Sequence, residues 1–193
     1  MKKGTLIRNI IISASVVEFC LAAFVLSIQF NLSLSYNGTT ILFKNVVWGC
    51  RFVELNGKLY TLKEGLGLNS IGMSVVPAIG LFLILFAAIA SVLVAWFLKK
   101  PFAKWVLVGL AAIILAGAIM QFFVYSAFIR AFVNELCKEN GVTDKEQIKH
   151  VYEQYKELFD QYKHANVMSV VAGVLGILGA IGVAVPKMIP EKN

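Results

Sequence analysis

Four apolar runs, each long enough to cross a lipid bilayer, constrain this chain more than any other feature of it. A hydrocarbon layer about 30 Å thick takes roughly 20 helical residues to span. Ile10 to Phe30, Ile71 to Leu98, Trp105 to Ile129 and Ala165 to Pro186 hold 21, 28, 25 and 22 residues, together 96 of 193. The chain is 59% apolar and 15% charged, where soluble domains run near half and a quarter. With three cysteines and no Gly-X-Y period, disorder, collagen and a disulfide-stapled secreted scaffold are excluded. The expected class is an all-α integral membrane four-helix bundle, one domain over residues 1–193. The second run exceeds a straight crossing, so it is expected to tilt or to start among headgroups, with Pro77 kinking its first turns.

Charge orients the bundle. Segments 1–9, 99–104 and 187–193 carry Lys2, Lys3, Arg8, Lys99, Lys100, Lys104, Lys187 and Lys192 against Glu191, a net +7 in 22 residues. The long connections, 31–70 and 130–164, carry +2 and −1. Lys and Arg accumulate on the cytoplasmic side, so both termini are expected inside, in a multi-pass protein of the plasma membrane, with both long connections extracellular. Trp96 and Trp105 flank the basic turn as interfacial anchors. The net charge of +7 then marks orientation, and no nucleic-acid partner is expected. Met1-Lys2-Lys3 and Arg8 ahead of an apolar run also fit a cleaved signal, with Ser33-Leu34-Ser35 as a processing site. A signal core of roughly 7 to 15 residues is shorter than this run, which favours a retained span.

The outer loop 31–70 reads as strands: Leu32 to Tyr36, Thr39 to Leu55 and Lys58 to Leu62, separated by Asn37-Gly38 and Asn56-Gly57. Asn-Gly between extended stretches is a strong hairpin signal, because both residues tolerate the positive φ of a type I′ turn. A small antiparallel sheet is expected, its long middle stretch either two strands or one with a bulge at Gly49. The outer loop 130–164 reads as helical. Thr143 and Glu146 match a capping box. Ile148, Val151, Tyr152, Tyr155, Leu158, Phe159 and Tyr162 follow on one face, and nothing from Lys163 to Ala165 stops that helix from entering the fourth span. The third span should continue through Phe132 and Leu136 to Asn140-Gly141, completing a helical hairpin. Its Tyr-rich face is expected to pack on the third-span extension or the sheet; a partner surface and a helix lying flat on the lipid are the other readings.

Glu18 is the sharpest candidate. An ionisable group within a span is costly unless paired, protonated or facing water, so it is expected to face the bundle, with Gln121 and Tyr125 of the third span and Ser13, Ser15 and Ser27 of its own as neighbours. It either serves a proton or ion pathway or a recognition point for another intramembrane chain, or fixes packing as a hydrogen-bonded acid. Cys50 and Cys137 both fall outside, so a disulfide between them is allowed, two free thiols being the alternative. Gly173, Gly176, Gly179, Ala180 and Gly182 bring small residues to one side of the fourth span, echoed by Ala87, Ser91 and Ala95 in the second. Close approach of helices follows, either between these two spans or with a second membrane chain. His150 with Glu146, Glu153 and Glu157 reads as a solvated face, and no metal or cofactor is expected. No phosphate loop, nucleophile elbow or His-Glu-x-x-His occurs, and no enzyme activity is expected. Of two sequons, Asn31-Leu32-Ser33 and Asn37-Gly38-Thr39, the second is better explained as a turn.

The inside N-terminus, strand-rich first outer loop, short inner turn, helical second outer loop and inside C-terminus, with Trp48-Gly49-Cys50 in the loop, resemble the claudin and peripheral-myelin-protein type of tetraspan. The chain is also similar to four-span proteins of low-GC Gram-positive bacteria that have a Gly-containing strand loop and no assigned activity. The claudin resemblance implies lateral self-assembly through the first outer loop. The expected function is a non-enzymatic accessory, assembly or interaction protein. It would sit in the lipid bilayer and contact another membrane protein, or itself, through the outer sheet and helical hairpin. The alternative is a small transporter or channel component using Glu18.

Overall fold

The structure is a computed structural model that describes residues 3–28, 30–98, 101–162 and 167–188. Lys2, Lys99, Lys100, Glu191 and Lys192 of the basic segments lie outside these, as do residues 163–166 between the hairpin and the fourth span. The chain, read as one domain, divides into two compact units: 1–27, 79–122 and 170–193, and 28–78 with 123–169.

The first unit is helical. α1 (Lys3–Ser15), a π-helical segment (Val16–Leu21) and α2 (Ala22–Ile28) run on as one helix. α5 (Ala103–Gln121) and all but the first turn of α4 (Val75–Phe97) and of α8 (Val167–Met188) complete the set. Gly4–Ile28, Val75–Phe97, Ala103–Gln121 and Met168–Pro186 are long and apolar enough to cross a membrane. Their common core includes Ile12, Val16, Cys20, Ile84, Leu107, Ile114 and Val183.

Glycines set how closely these helices approach. A Cβ on Gly80 of α4 would stand 2.7 Å from the Gly117 carbonyl oxygen of α5, and one on Gly117 would meet the Gly80 carbonyl oxygen at 2.5 Å. In α8, a Cβ on Gly173 would meet the Phe122 ring at 2.7 Å and one on Gly176 the Ala118 Cβ at 2.7 Å, while Gly179 and Gly182 sit against Cys20 and Ser15. The glycine row therefore serves packing within the chain. Its main neighbours are the first helix and α5, not the second span alone. A step of three residues falls about 60° short of a full turn, so a row at every third position winds from one neighbour to the next.

Two expected helices differ in extent. The second span begins at Val75, because Ile71 forms an antiparallel bridge with Cys50 instead. Pro77 thus lies in the first turn of α4, where its missing N–H would have no helical acceptor. The third run breaks after Gln121: Phe122 donates to Ile119 in a tightened last turn, and α6 (Val124–Glu139) starts anew.

The second unit pairs a four-stranded antiparallel meander with helices. β1 (Leu32–Tyr36), β2 (Thr39–Phe43), β3 (Phe52–Leu55) and β4 (Lys58–Thr61) lie in the order β1-β2-β3-β4. Asn37 (φ 48°) with Gly38 (φ 76°) and Asn56 (φ 49°) with Gly57 (φ 83°) turn the two hairpins, with the positive φ that a type I′ turn requires. The long middle stretch is two strands, divided by a loop at 44–51. The register aligns Leu32, Phe43, Val53 and Tyr60 on one face, with Leu34, Ile41 and Leu55 in the adjoining row. Thr61 and Glu64 form a full capping box for α3 (Leu62–Leu66), where the sequence pattern had extended a strand to Leu62.

α6 ends at Asn140, whose side chain donates to the Leu136 carbonyl at 2.7 Å, and Gly141 turns the chain at φ 70°. α7 (Lys145–Tyr162) follows. Its cap is Asp144, which accepts from the Glu146 N–H at 3.2 Å, in place of the expected box at Thr143. A carboxylate at that position satisfies a free N–H and complements the helix dipole.

Candidate functional site

The inner face of the sheet and the hairpin α6–α7 enclose an apolar cavity of about 250 Å³. The sheet supplies Leu34, Tyr36, Ile41 and Phe43, α3 and the residues after it supply Leu66 and Leu68, α6 supplies Phe132 and Leu136, and α7 supplies Tyr155, Leu158, Phe159 and Tyr162. Among the described residues, no charged side chain lines it. The register explains the lining: side chains alternate across a strand, so Leu34, Tyr36, Ile41 and Phe43 share the face opposite Lys44 and Glu54, which form an ion pair at 2.8 Å.

Aromatic rings make the floor. Phe159 is 2% exposed and lies 5.4 Å from Phe132, 6.2 Å from Phe43 and 6.2 Å from Phe128, measured between ring centroids. Tyr155 meets Phe132 edge-on at 5.4 Å. Tyr36 and Tyr162 form a T-shaped pair at 5.1 Å, and Leu158, 38% exposed, stands at the rim. The Tyr-rich face of α7 thus packs on α6 and the sheet, as expected. An engineered apolar cavity of about 150 Å³ stays dry and takes up benzene, so this one has room for a larger apolar group, such as a side chain of a partner.

The loop carrying Trp48-Gly49-Cys50 is clamped to the chain just before α4. Cys50 and Ile71 exchange backbone hydrogen bonds of 3.0 and 2.9 Å, while Ser74 donates its N–H to Val47 and its hydroxyl to Val46, both at 2.9 Å. Gly49 (φ 111°) lies on the Ile71 carbonyl, with room for no more than contact at 3.4 Å. Cys50 and Cys137 are both buried free thiols, not joined to one another in the structure. Burial pushes the Cys50 thiol up to about 11, against hydrogen bonds with the backbone of Lys44 and Phe52 that lower it. Asn31 spends its side-chain oxygen on the Asn45 N–H at 3.1 Å.

Glu18 does not face the bundle. It is exposed, while Val16 and Cys20 on either side of it are buried. A position two residues away from each packed one, about half a helical turn, falls on the opposite side. The expected neighbours are engaged elsewhere. Ser13 accepts from the Trp96 indole at 2.9 Å, Ser15 is buried against Gly182, and Ser27 donates to the Ala23 carbonyl at 2.8 Å. Gln121, fully buried, donates to the Gly117 carbonyl at 3.2 Å and packs on Gly80. Tyr125 belongs to the other unit. There, burial first and the Asp160 carboxylate second raise its phenol above the ordinary range.

His150 contacts Gln154 at 3.1 Å on the exposed face of α7, and among the described residues no three His, Cys, Asp or Glu side chains converge on a metal position. Neither the cavity nor the orientation of Glu18 was foreseen from the sequence. The alternation of apolar residues in β1 and β2 was the available signal for the former. No protein-family model matches the chain, and no curated protein matches it in sequence.

Proposed function

We propose that the chain is an integral protein of the plasma membrane, crossing it with its four long apolar helices and keeping both termini in the cytoplasm. The basic segments at 1–9, 99–104 and 187–193 support that orientation. The second unit, drawn from the two long connections, then stands outside. Its role is non-enzymatic: it holds a second protein, as an accessory or assembly subunit, through the sheet and the helical hairpin.

The cavity between these elements carries the reading. Packed interiors leave few voids larger than a water molecule, and an uncharged aromatic recess with a half-open rim suits an apolar anchor residue of a partner, the kind of buried contact that dominates interface energies. The alternative, a small transporter using Glu18, calls for that carboxylate on an internal path, and its outward direction favours a lateral contact instead.

Purification of the tagged chain from its own membranes in mild detergent, followed by native mass spectrometry, tests the proposal. A second chain at fixed stoichiometry is expected with the wild type and not with Leu158→Arg, which sets a charge at the rim. A lone monomer, a pure homo-oligomer, or equal recovery with the variant overturns it.

A further inference from the structure

The geometry points to a second recognition site within the spanning part of the chain: Glu18 is the contact point for a partner membrane helix that carries a lysine or arginine at the same depth. The inference rests on the proposal that Gly4–Ile28 crosses a membrane, and it is independent of the cavity in the other unit.

Position comes first. Glu18 lies two residues past the midpoint of Gly4–Ile28, where an ionisable side chain is costly to keep and marks function unless it is paired. Direction comes second. The carboxylate is exposed, and among the described residues no hydrogen bond or ion pair reaches it. The exposed surface around it is otherwise apolar, with Ile11, Ala14, Val17, Leu21 and Val25.

Backbone conformation is an independent third observation. Val16–Leu21 is the π-helical segment, unique among the described residues, and Glu18 is inside it. Short π-helical turns within α-helices are rare and gather at functional positions. This one is braced from behind, because Gly179 packs on Cys20 and Gly182 on Ser15. The carboxylate is therefore presented outward from a fixed support.

Charge complementarity selects the occupant. In hydrocarbon, a carboxylate gains most from a cation that removes its uncompensated charge. A lysine or arginine on a neighbouring helix reaches it with a long stem, and Ala14, one turn before Glu18, leaves room for a close backbone. A second copy of this chain would oppose two carboxylates, which repel unless one is protonated.

The test uses the full chain, fluorescently labelled and reconstituted in phosphatidylcholine vesicles with synthetic Leu/Ala membrane peptides of about 21 residues. The peptides carry one central Lys, Leu or Glu. Energy transfer is expected to show the Lys peptide binding about tenfold tighter than the Leu peptide. Glu18→Gln should abolish that preference and Glu18→Asp retain most of it. Leu158→Arg should leave it unchanged, so that failure here and failure of the cavity reading are told apart. Equal binding of Lys and Leu peptides, or a Lys preference that survives Glu18→Gln, overturns the inference. So does Glu18-dependent transfer between two copies of the chain that the Lys peptide does not compete away.

Discussion

The Trp96 indole donates a hydrogen bond of 2.9 Å to the Ser13 hydroxyl, tying the last turn of α4 to the first long helix. Trp96 is 37% exposed, so it both lies at the surface, as an interfacial anchor does, and fixes one helix against another. Hydrogen bonds between helices in membranes average about 0.6 kcal/mol in double-mutant cycles. Ser13→Ala and Trp96→Phe, with their double variant, should show a coupling of that order in detergent unfolding. Strictly additive losses would mean that the bond contributes nothing.

The crossing of α4 and α5 depends on two glycines, since a Cβ on Gly80 would meet backbone and side-chain atoms at 2.7 Å, whereas one on Gly109 of α5 would meet nothing within 4 Å. Overpacking of this kind costs about 1–3 kcal/mol. Glycine within a helix is less favourable than alanine by about 1 kcal/mol. Gly80→Ala should therefore lower the thermal midpoint by several degrees, and Gly109→Ala leave it unchanged or raise it. Equal effects at the two positions would refute the close crossing.

The Cys50 thiol should be unusually inert. Its folded value of about 11 lies above the ordinary 9.0, so only about one part in a thousand is thiolate at pH 8, roughly a hundredfold less than for a free thiol. Alkylation of the native protein at pH 8 should be slower in that proportion, and all three cysteines should alkylate without reductant once the chain is unfolded. The linkage has a definite sign. Because the folded state holds this proton more tightly, the thiol's contribution is fully present below pH 9 and is lost as pH rises through about 11. Cys50→Ala should flatten that alkaline decline. Rapid labelling of native Cys50, or a disulfide-linked peptide in the unreduced digest, would refute the assignment.

Features set by length or by a few adjacent residues were legible in the sequence. Hydropathy alone located the four long helices, and Asn37-Gly38 and Asn56-Gly57 fixed two hairpins because the positive φ is local to each pair. The ends of α4 and α5 were not legible. Ile71 and Ser74 stay out of the helix because the loop at 46–50, distant in sequence, supplies their hydrogen bonds, and Phe122-Phe123 are as apolar as the helix they interrupt. The direction of Glu18 was hidden for a related reason: exposed Val17, Leu21 and Val25 are as hydrophobic as buried Val16, Cys20 and Ala23, so periodicity distinguishes no face. Thr61 and Glu64 were visible as a capping pair, but the alternation of Lys58 to Leu62 ran over them.

Phe159 and Leu158 are neighbours in sequence with opposite tasks, and separating them tests the candidate site most directly. Phe159, 2% exposed, holds the aromatic floor against Phe43, Phe128 and Phe132. Truncating a buried phenylalanine costs about 3–5 kcal/mol, so Phe159→Ala should melt the sheet and hairpin at markedly lower temperature. Leu158, 38% exposed at the rim, has much less buried surface to lose, and Leu158→Ala should cost under about 1 kcal/mol. If the rim receives an apolar anchor, that mild variant should still weaken retention of the partner during purification. Protection of backbone amides from hydrogen exchange in α7 and β1 reports the first effect, and recovery of the second chain reports the second. A stable Phe159→Ala would show that the aromatic cluster does not hold the unit together, and full partner recovery with both Leu158→Ala and Leu158→Arg would remove the rim from the contact.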